Sequence, residues 1–192
     1  MIRIGITGGI GSGKSVVSEI LSLSGVPVFI ADTEAKLLIN TSQNIRKALC
    51  ELFGNDLYTD QGLDKKRLAS IIFNDPKRLQ TVNNIVHPEV GRAFIKWVQE
   101  QKGDLCAIES AILFESGFDS LVDKTVTVYA PEAIRIKRAC SRDYTTEDNI
   151  RQRIKHQLPE EIKKERSDFV IYNDDQKALI PQIYALLTSL HS

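Results

Sequence analysis

The first thirty residues combine a strand pattern and a helix pattern of apolar positions. Ile2, Ile4 and Ile6 form a short β-rich run that ends in glycines, and residues 15–24 then carry apolar side chains at helical spacing. A second apolar run, VPVFI at 26–30, ends at Ala31 and Asp32. The order strand, helix, strand predicts parallel pairing through a right-handed crossover.

Residues 33–102 have a different pattern, in which apolar side chains recur three and four positions apart with charges scattered between them. This spacing is typical of helices, and it predicts few strands. The His87-Pro88 pair predicts the end of one helix and the start of the next, because proline disrupts a helix interior and favours a first turn. We therefore interpret the segment as a helical insertion beside the sheet.

Strand-like runs return in the second half of the chain, with LCAIE at 105–109 and KTVTVY at 124–129. Both runs are continuously apolar or β-branched, as in strands that a parallel sheet buries on both faces. A charged helical region at 131–165 follows, and then a last strand at 168–172 and a closing helix at 177–190. The alternation predicts an α/β fold with a doubly wound parallel sheet.

Composition and charge narrow the function classes. The 192 residues are 42% hydrophobic and 26% charged, as in an ordinary globular protein. The 25 basic and 25 acidic residues give a formal net charge of +0, which disfavours partners such as nucleic acid or a membrane surface. The apolar stretches are too short to span a bilayer and no signal peptide precedes the first strand, so we expect a cytoplasmic protein. Cys50, Cys106 and Cys140 lie too far apart in the sequence to indicate a disulfide framework or a thiolate metal site.

The loop after the first strand carries the strongest chemical signal. Residues 8–15, GGIGSGKS, match the P-loop pattern G-x-x-x-x-G-K-[ST] between a predicted strand and a predicted helix. Backbone N–H groups of such a loop surround phosphate oxygens, Lys14 would reach the β- and γ-phosphates, and the Ser15 hydroxyl would bind Mg²⁺. A glycine-rich turn without a ligand is the alternative, but it requires neither Lys14 nor Ser15. The expected phosphate contacts are Gly9, Ile10, Gly11, Ser12, Gly13, Lys14, Ser15 and Val16.

Acidic residues at strand ends and arginines in the charged region are further candidates. Asp32 ends the second strand at the sheet edge where ligands bind, and there it would accept a proton, orient Mg²⁺ through water, or cap a helix starting near Thr33. Glu109 ends the third strand as either a metal-holding acid or a solvated carboxylate. An arginine on a mobile flap would stabilise the moving phosphoryl group, with Arg142 as the first choice and Arg138 as the second.

The order and spacing of these motifs resemble the dephospho-coenzyme A kinase family over nearly the whole chain. The segments ITGGIGSGKS at 6–15 and IAD at 30–32 are similar to that family's phosphate loop and aspartate motif. Further similar segments are VHP at 86–88, ESAILFE at 109–115, SRD at 141–143, a lid glutamine motif at 153–157 and DFVIYN at 168–173. Lys36, Ala111 and Ser141 depart from the arginine, proline and glutamine that are usual there, and an ammonium at 36 cannot replace a guanidinium fork.

The resemblance implies that ATP, with Mg²⁺, phosphorylates the ribose 3′-hydroxyl of dephospho-CoA, the last step of coenzyme A biosynthesis. Asp32 would be the base, and Lys14 and Arg142 would offset charge on the moving phosphoryl group. Arg138 and Asn173 would lie on the nucleotide side. The implied substrate contacts are Asp32, His87, Glu115 and Arg142. His87 also fits a purely structural role at a helix junction.

The resemblance also implies three domains and leaves two alternatives. The nucleotide-binding core would contain 1–32, 104–130 and 166–192, the helical substrate domain 33–103, and the helical lid 131–165. Another small-molecule kinase, for a nucleoside or a nucleoside monophosphate, would share the P-loop and the lid. A non-catalytic nucleotide switch is less consistent with the sequence, which has no Asn-Lys-x-Asp and no Asp-x-x-Gly motif. The sequence does not predict the oligomeric state.

Overall fold

The computed structural model describes residues 1–72 and 75–190, and the chain forms two compact units. The first unit contains Met1–Ile30 and Glu100–Ser192, and the second contains Ala31–Gln99. Over the described residues the strands, in chain order, are β1 (Ile2–Thr7), β2 (Val28–Ile30), β3 (Tyr58–Thr59), β4 (Gly62–Leu63), β5 (Leu105–Glu109), β6 (Lys124–Tyr129) and β7 (Phe169–Tyr172). The α-helices over the same residues are α1 (Lys14–Leu23), α2 (Ala31–Thr41), α3 (Gln43–Phe53), α4 (Lys65–Ile72), α5 (Pro76–Glu100), α6 (Glu132–Asp143), α7 (Glu147–Lys155), α8 (Glu160–Arg166) and α9 (Leu179–Leu190).

The first unit is built on a parallel sheet with the strand order β2-β5-β1-β6-β7. From central β1 the chain passes to β2 and β5 on one side and then to β6 and β7 on the other. The register sets Ile6 of β1 beside Glu109 of β5 and beside Val126 of β6. The carboxyl end of β1 therefore lies where the strand order reverses, which is where open parallel sheets bind ligands.

Alternate residues of β6 show that helices cover both faces of the sheet. Val126 and Val128 belong to an apolar core that includes residues of α1 and α9. Thr127 has the opposite orientation, and its hydroxyl donates to the carbonyl of Lys163 in α8 at 3.1 Å. The predicted doubly wound α/β sheet is therefore confirmed, and burial on both faces explains why its strands read as continuous apolar runs.

The second unit is helical apart from the short antiparallel pair β3–β4, as the sequence pattern predicted for this stretch. α2 begins at Ala31, directly after β2, so the expectation that Asp32 ends a strand or caps a helix near Thr33 is wrong. Asp32 instead lies in the first helical turn. Ala31 is buried and has the highest helix propensity, which explains the earlier start.

Helix α5 continues through the His87-Pro88 pair, so the predicted helix break is wrong. Proline removes one backbone donor, but a buried stripe at helical spacing runs past it on both sides. The stripe consists of Val82, Val86, Val90 and Phe94. Its burial offsets the lost hydrogen bond. At 25 residues α5 is long, yet neither it nor another helix in the described part is both long and apolar enough to cross a membrane.

Candidate active site

The P-loop joins β1 to α1 in the first unit. Gly13 is the N-cap residue of α1 and has φ 95°, in the left-handed region that favours glycine. A Cβ at this position would lie 2.0 Å from Nδ2 of Asn173, so the space also excludes a side chain. Gly13 contributes no capping side chain, and the positive end of the α1 dipole favours an anion at this position.

The side chains of the loop fit a phosphate ligand. Lys14 is buried, and its ammonium donates to the carbonyl of Gly9 at 3.4 Å. The hydroxyl of Ser12 is also buried and has no hydrogen-bond partner among the described residues. A buried hydroxyl without a partner is costly, and a phosphate oxygen would satisfy it. Ser15 and Val16 are exposed at the start of α1.

Arg138 and Asn173, the predicted nucleotide-side residues, meet next to this loop. Nδ2 of Asn173 donates to the carbonyl of Ser12 at 2.8 Å, and the backbone N–H of Asn173 donates to the carbonyl of Tyr129 at 2.8 Å. Nη1 of Arg138 donates to the carbonyl of Asn173 at 3.0 Å, and the guanidinium also pairs with Asp175. The structure therefore brings together the P-loop, the start of the charged region and the end of β7.

Arg135 and Glu160 contact the P-loop and were not predicted as site residues. Arg135 is buried, and it donates from Nε to the carbonyl of Ala130 at 3.1 Å and from Nη1 to the carbonyl of Ile10 at 3.5 Å. A Cβ on Gly9 would lie 2.3 Å from Nη1 of Arg135 and 2.7 Å from Oε1 of Glu160. Glycine at position 9 thus leaves room for an opposite pair of charges over the loop.

The carboxyl group of Glu160 has an unusual electrostatic environment. Burial raises its pKa, whereas the positive charges of Arg135, Lys163 and Lys14 and the backbone of Gly9 act to lower it. The raised pKa means that desolvation outweighs the nearby cations.

The segment that leads into α8 is also attached to the P-loop. Oε1 of Gln157 accepts the N–H of Ile10 at 3.0 Å. Oε1 of Glu115 accepts the N–H of Leu158 at 2.7 Å and lies 3.2 Å from the fully buried ammonium of Lys163. These contacts give Glu115 a role in packing, and its predicted contact with substrate stays a prediction.

Arg142 lies in the last turn of α6 with an exposed side chain. Its guanidinium donates to both carboxylate oxygens of Asp143, at 2.7 and 3.1 Å, and Arg153 donates to the same carboxylate at 2.6 Å. The two arginines hold the pKa of Asp143 well below its usual range. The role of Arg142 in phosphoryl transfer stays a prediction.

Asp32 and His87 belong to the second unit. Asp32 is exposed in the first turn of α2, and His87 is half-buried on α5. Burial lowers the pKa of His87 and so favours the neutral imidazole. Their roles as base and substrate ligand stay predictions.

The residues present fit a magnesium ion that is held mostly by nucleotide phosphates. Within residues 1–72 and 75–190, no group of three or more His, Cys, Asp or Glu side chains could hold a metal. Magnesium commonly binds through few protein ligands together with phosphates and water. The exposed hydroxyl of Ser15 at the start of α1 is suited to be such a ligand.

Phosphate cradles of this kind occur in many nucleotide-binding proteins. In this chain the helices after β6 return to the cradle, where Arg135, Gln157 and Glu160 cover it. The sheet order and this cover define the class of the protein as a P-loop kinase with an α/β core.

Comparison with known proteins gives the family. The dephospho-CoA kinase family model (CoaE) matches residues 2–178, so the chain belongs to the dephospho-CoA kinase family and is a kinase. A dephospho-CoA kinase from Bacteroides fragilis (strain YCH46) is 47% identical over 191 residues, which cover 99% of this chain and 93% of the relative. The solved structure of TT1252 from Thermus thermophilus is 32% identical with a TM-score of 0.82, covering 99% of this chain and 96% of that one. The structure of dephospho-CoA kinase from Campylobacter jejuni is 25% identical with a TM-score of 0.69, covering 98% of this chain and 96% of that one.

Proposed function

We propose that the protein transfers the γ-phosphoryl group of ATP to the ribose 3′-hydroxyl of dephospho-CoA and releases coenzyme A and ADP. The observation that carries the proposal is family membership over almost the whole chain, combined with an intact P-loop that retains Lys14 and Ser15. Membership indicates the acceptor, and the loop supplies the nucleotide site. The proposal includes a cytoplasmic location, as expected from the sequence.

The P-loop holds the donor in this scheme. The N–H groups at the start of α1 bind phosphate oxygens, and Lys14 exchanges its long contact with the carbonyl of Gly9 for the β- and γ-phosphates. The Ser15 hydroxyl would hold Mg²⁺, which would supply positive charge to the phosphates during transfer. Arg138 and Asn173 bind the nucleoside side, next to the carbonyl of Ser12.

Asp32 acts on the acceptor. Its carboxylate orients the 3′-hydroxyl and accepts the proton as the hydroxyl oxygen attacks the γ-phosphorus. One O–P bond forms, the bond to the β-phosphate oxygen breaks, and ADP leaves with that electron pair. His87, held neutral by burial, and Glu115 bind other parts of dephospho-CoA.

Arg142 supplies positive charge to the transferred group. Arg153 pairs with the same carboxylate at 2.6 Å, so Asp143 keeps a cationic partner when the exposed guanidinium of Arg142 moves to the phosphoryl group. Its planar fork then binds two equatorial phosphoryl oxygens, where charge develops in the transition state.

An acceptor panel tests the proposal. ADP release is measured by a coupled assay with Mg-ATP and dephospho-CoA, adenosine, AMP or CMP, and a Lys14→Ala protein serves as the control for contaminating kinases. We expect turnover with dephospho-CoA that the control lacks, and little with the other acceptors. Preferred turnover with adenosine, AMP or CMP would instead establish a nucleoside or nucleotide kinase. ADP release that is independent of every acceptor would favour the nucleotide switch.

A further inference from the structure

Glu160 is a buried charge beside the P-loop that the proposed phosphoryl transfer does not use. It stands at the start of α8 with 8% of its surface exposed. Three buried cations surround it, namely Arg135 from α6, Lys163 from α8 and Lys14 from α1. A carboxylate in such a position is costly unless opposite charges stabilise it.

The contact between Glu160 and the loop is made at Gly9. The missing Cβ of Gly9 leaves space that Oε1 of Glu160 and Nη1 of Arg135 occupy together. The same nitrogen of Arg135 reaches the carbonyl of Ile10, and Lys14 reaches the carbonyl of Gly9. Neither carboxylate oxygen of Glu160 has a hydrogen-bond partner among the described residues, so the carboxylate acts on both cations through its charge.

Glu160 lines a cavity of about 520 Å³, although both of its carboxylate oxygens are buried. Besides Glu160 and Arg135, the charged or titratable groups that line it are Tyr129 from β6, Glu132 from α6, Lys155 from α7 and Glu161 from α8. Solvent in the cavity can therefore reach the carboxyl group after a small side-chain movement, because Glu160 itself lines the cavity.

Nucleotide binding changes the balance of charge around Glu160. The phosphates bring several negative charges to Lys14 and to the amides of the loop, and these charges repel a nearby carboxylate. We propose that Glu160 is a positioning residue, which as a carboxylate attracts Arg135 and Lys14 beside the P-loop before nucleotide binds and takes up one proton from solvent when nucleotide phosphates bind. This inference rests on the proposed function only in requiring that Mg-ATP binds.

The electrostatics around Glu160 favour the same change. Burial already raises the pKa of Glu160 above its ordinary value despite Arg135, Lys163 and Lys14. The negative charge of bound phosphates raises it further, because a like charge disfavours the ionised form. Protonation removes the repulsion and leaves Arg135 and Lys14 for the phosphates.

Isothermal titration calorimetry measures this proton directly. Mg-ATP is titrated in buffers of different ionisation enthalpy, and the buffer dependence of the heat gives the protons taken up per nucleotide. We expect the wild type to take up more protons than Glu160→Gln, by a difference of up to about one per nucleotide. Protons exchanged by ATP itself are common to both proteins and cancel.

Glu161→Gln is the matched control. Glu161 is adjacent in the sequence, but its exposed carboxylate pairs with Lys164 at 2.8 Å. We expect the Glu161→Gln protein to take up as many protons on nucleotide binding as the wild type. Equal proton uptake by the wild type and Glu160→Gln would overturn the inference. An equal loss of proton uptake in Glu160→Gln and Glu161→Gln would also overturn it.

The pH dependence of KM for ATP separates this role from a structural one. The ionised wild-type carboxylate opposes nucleotide binding at high pH, whereas at low pH it is already protonated and resembles glutamine. We expect Glu160→Gln to lower KM several-fold near pH 8, with a difference that shrinks as the pH falls. A lower thermal midpoint together with a KM change that is independent of pH would indicate structure alone and contradict the inference.

The wild type provides a test that holds even if Glu160→Gln does not fold. Infrared difference spectra with and without Mg-ATP should show a protonated carboxyl band on binding, and binding without such a band would overturn the inference. Binding without transfer to dephospho-CoA would refute the proposed function and leave the inference intact. A complete absence of Mg-ATP binding would refute both.

Discussion

Asp32 has the central chemical role in the proposed reaction, yet nothing in its position makes it important to the fold. Its side chain is exposed in the first turn of α2. Substitutions at exposed positions usually change stability by about 0.5 kcal/mol or less. Asparagine keeps the size of the side chain and removes the ability to accept the proton, so it isolates the chemical role.

We expect Asp32→Asn to lower kcat by about 10²–10⁴-fold, the usual contribution of a positioned base. Steady-state kinetics with Mg-ATP and dephospho-CoA measure this effect, and the thermal midpoint should stay within a few degrees of the wild type. Glu34→Gln, in the same helical turn, is the control and should retain its activity. If the Asp32→Asn protein keeps its fold and most of its turnover, Asp32 is not the base.

The site residues that the sequence revealed are those whose signal is local. The P-loop is a contiguous motif, Asn173 belongs to a segment that resembles a family, and Arg138 was selected as one of the arginines of the charged region. Arg135 and Glu160 have no such signal, because both lie in a charged stretch where many arginines and glutamates look alike. Only the fold brings these two side chains to the space above Gly9.

At the scale of elements, α5 has two prolines in different positions. Pro76 is its first residue, and Oδ1 of Asp75 accepts the N–H groups of Lys77 and Arg78 at 3.0 and 3.1 Å. Asp75 is therefore the N-cap of α5, and a proline is well tolerated at the first helical position. Pro88 lies inside the helix, where it removes a backbone donor and crowds the preceding turn.

We expect Pro88→Ala to stabilise the protein. Removing a proline from a helix interior relieves a cost of about 3 kcal/mol in the folded state. It also gives the unfolded chain more conformational freedom, which lowers stability by up to about 1 kcal/mol, so the expected net gain in the free energy of unfolding is about 2 kcal/mol. Urea or thermal unfolding measures the gain. The matched control Pro76→Ala, also exposed but at the first helical position, should change stability little. A Pro88→Ala protein that is less stable than the wild type would contradict this account of α5.

The apolar pattern was a good guide to elements wherever a single periodicity dominated. It predicted β1, β5 and β6, because strands buried on both faces carry unbroken apolar or β-branched runs. It failed at the start of α2 and at Pro88, where burial of Ala31 and of the α5 stripe outweighs the local signal. Tertiary packing, which no short window of sequence contains, decides both cases.

At the scale of the whole molecule, the residues assigned to the proposed reaction are distributed over both compact units. Lys14, Arg142 and Asn173 lie in the first unit, and Asp32 and His87 lie in the second. The P-loop alone indicates a nucleotide and leaves the acceptor open. The family match extends from residue 2 to residue 178, and so it includes the second unit, from which the acceptor was inferred.

The position of the new phosphate on the product is the most direct test of this account. The protein is incubated with Mg-ATP and dephospho-CoA, and the purified product is examined by proton and phosphorus NMR. We predict a single new phosphate monoester whose phosphorus couples to the ribose H3′. A phosphate at the 2′-hydroxyl or on the pantetheine arm, or no phosphorylated product under conditions in which Mg-ATP binds, would contradict the account.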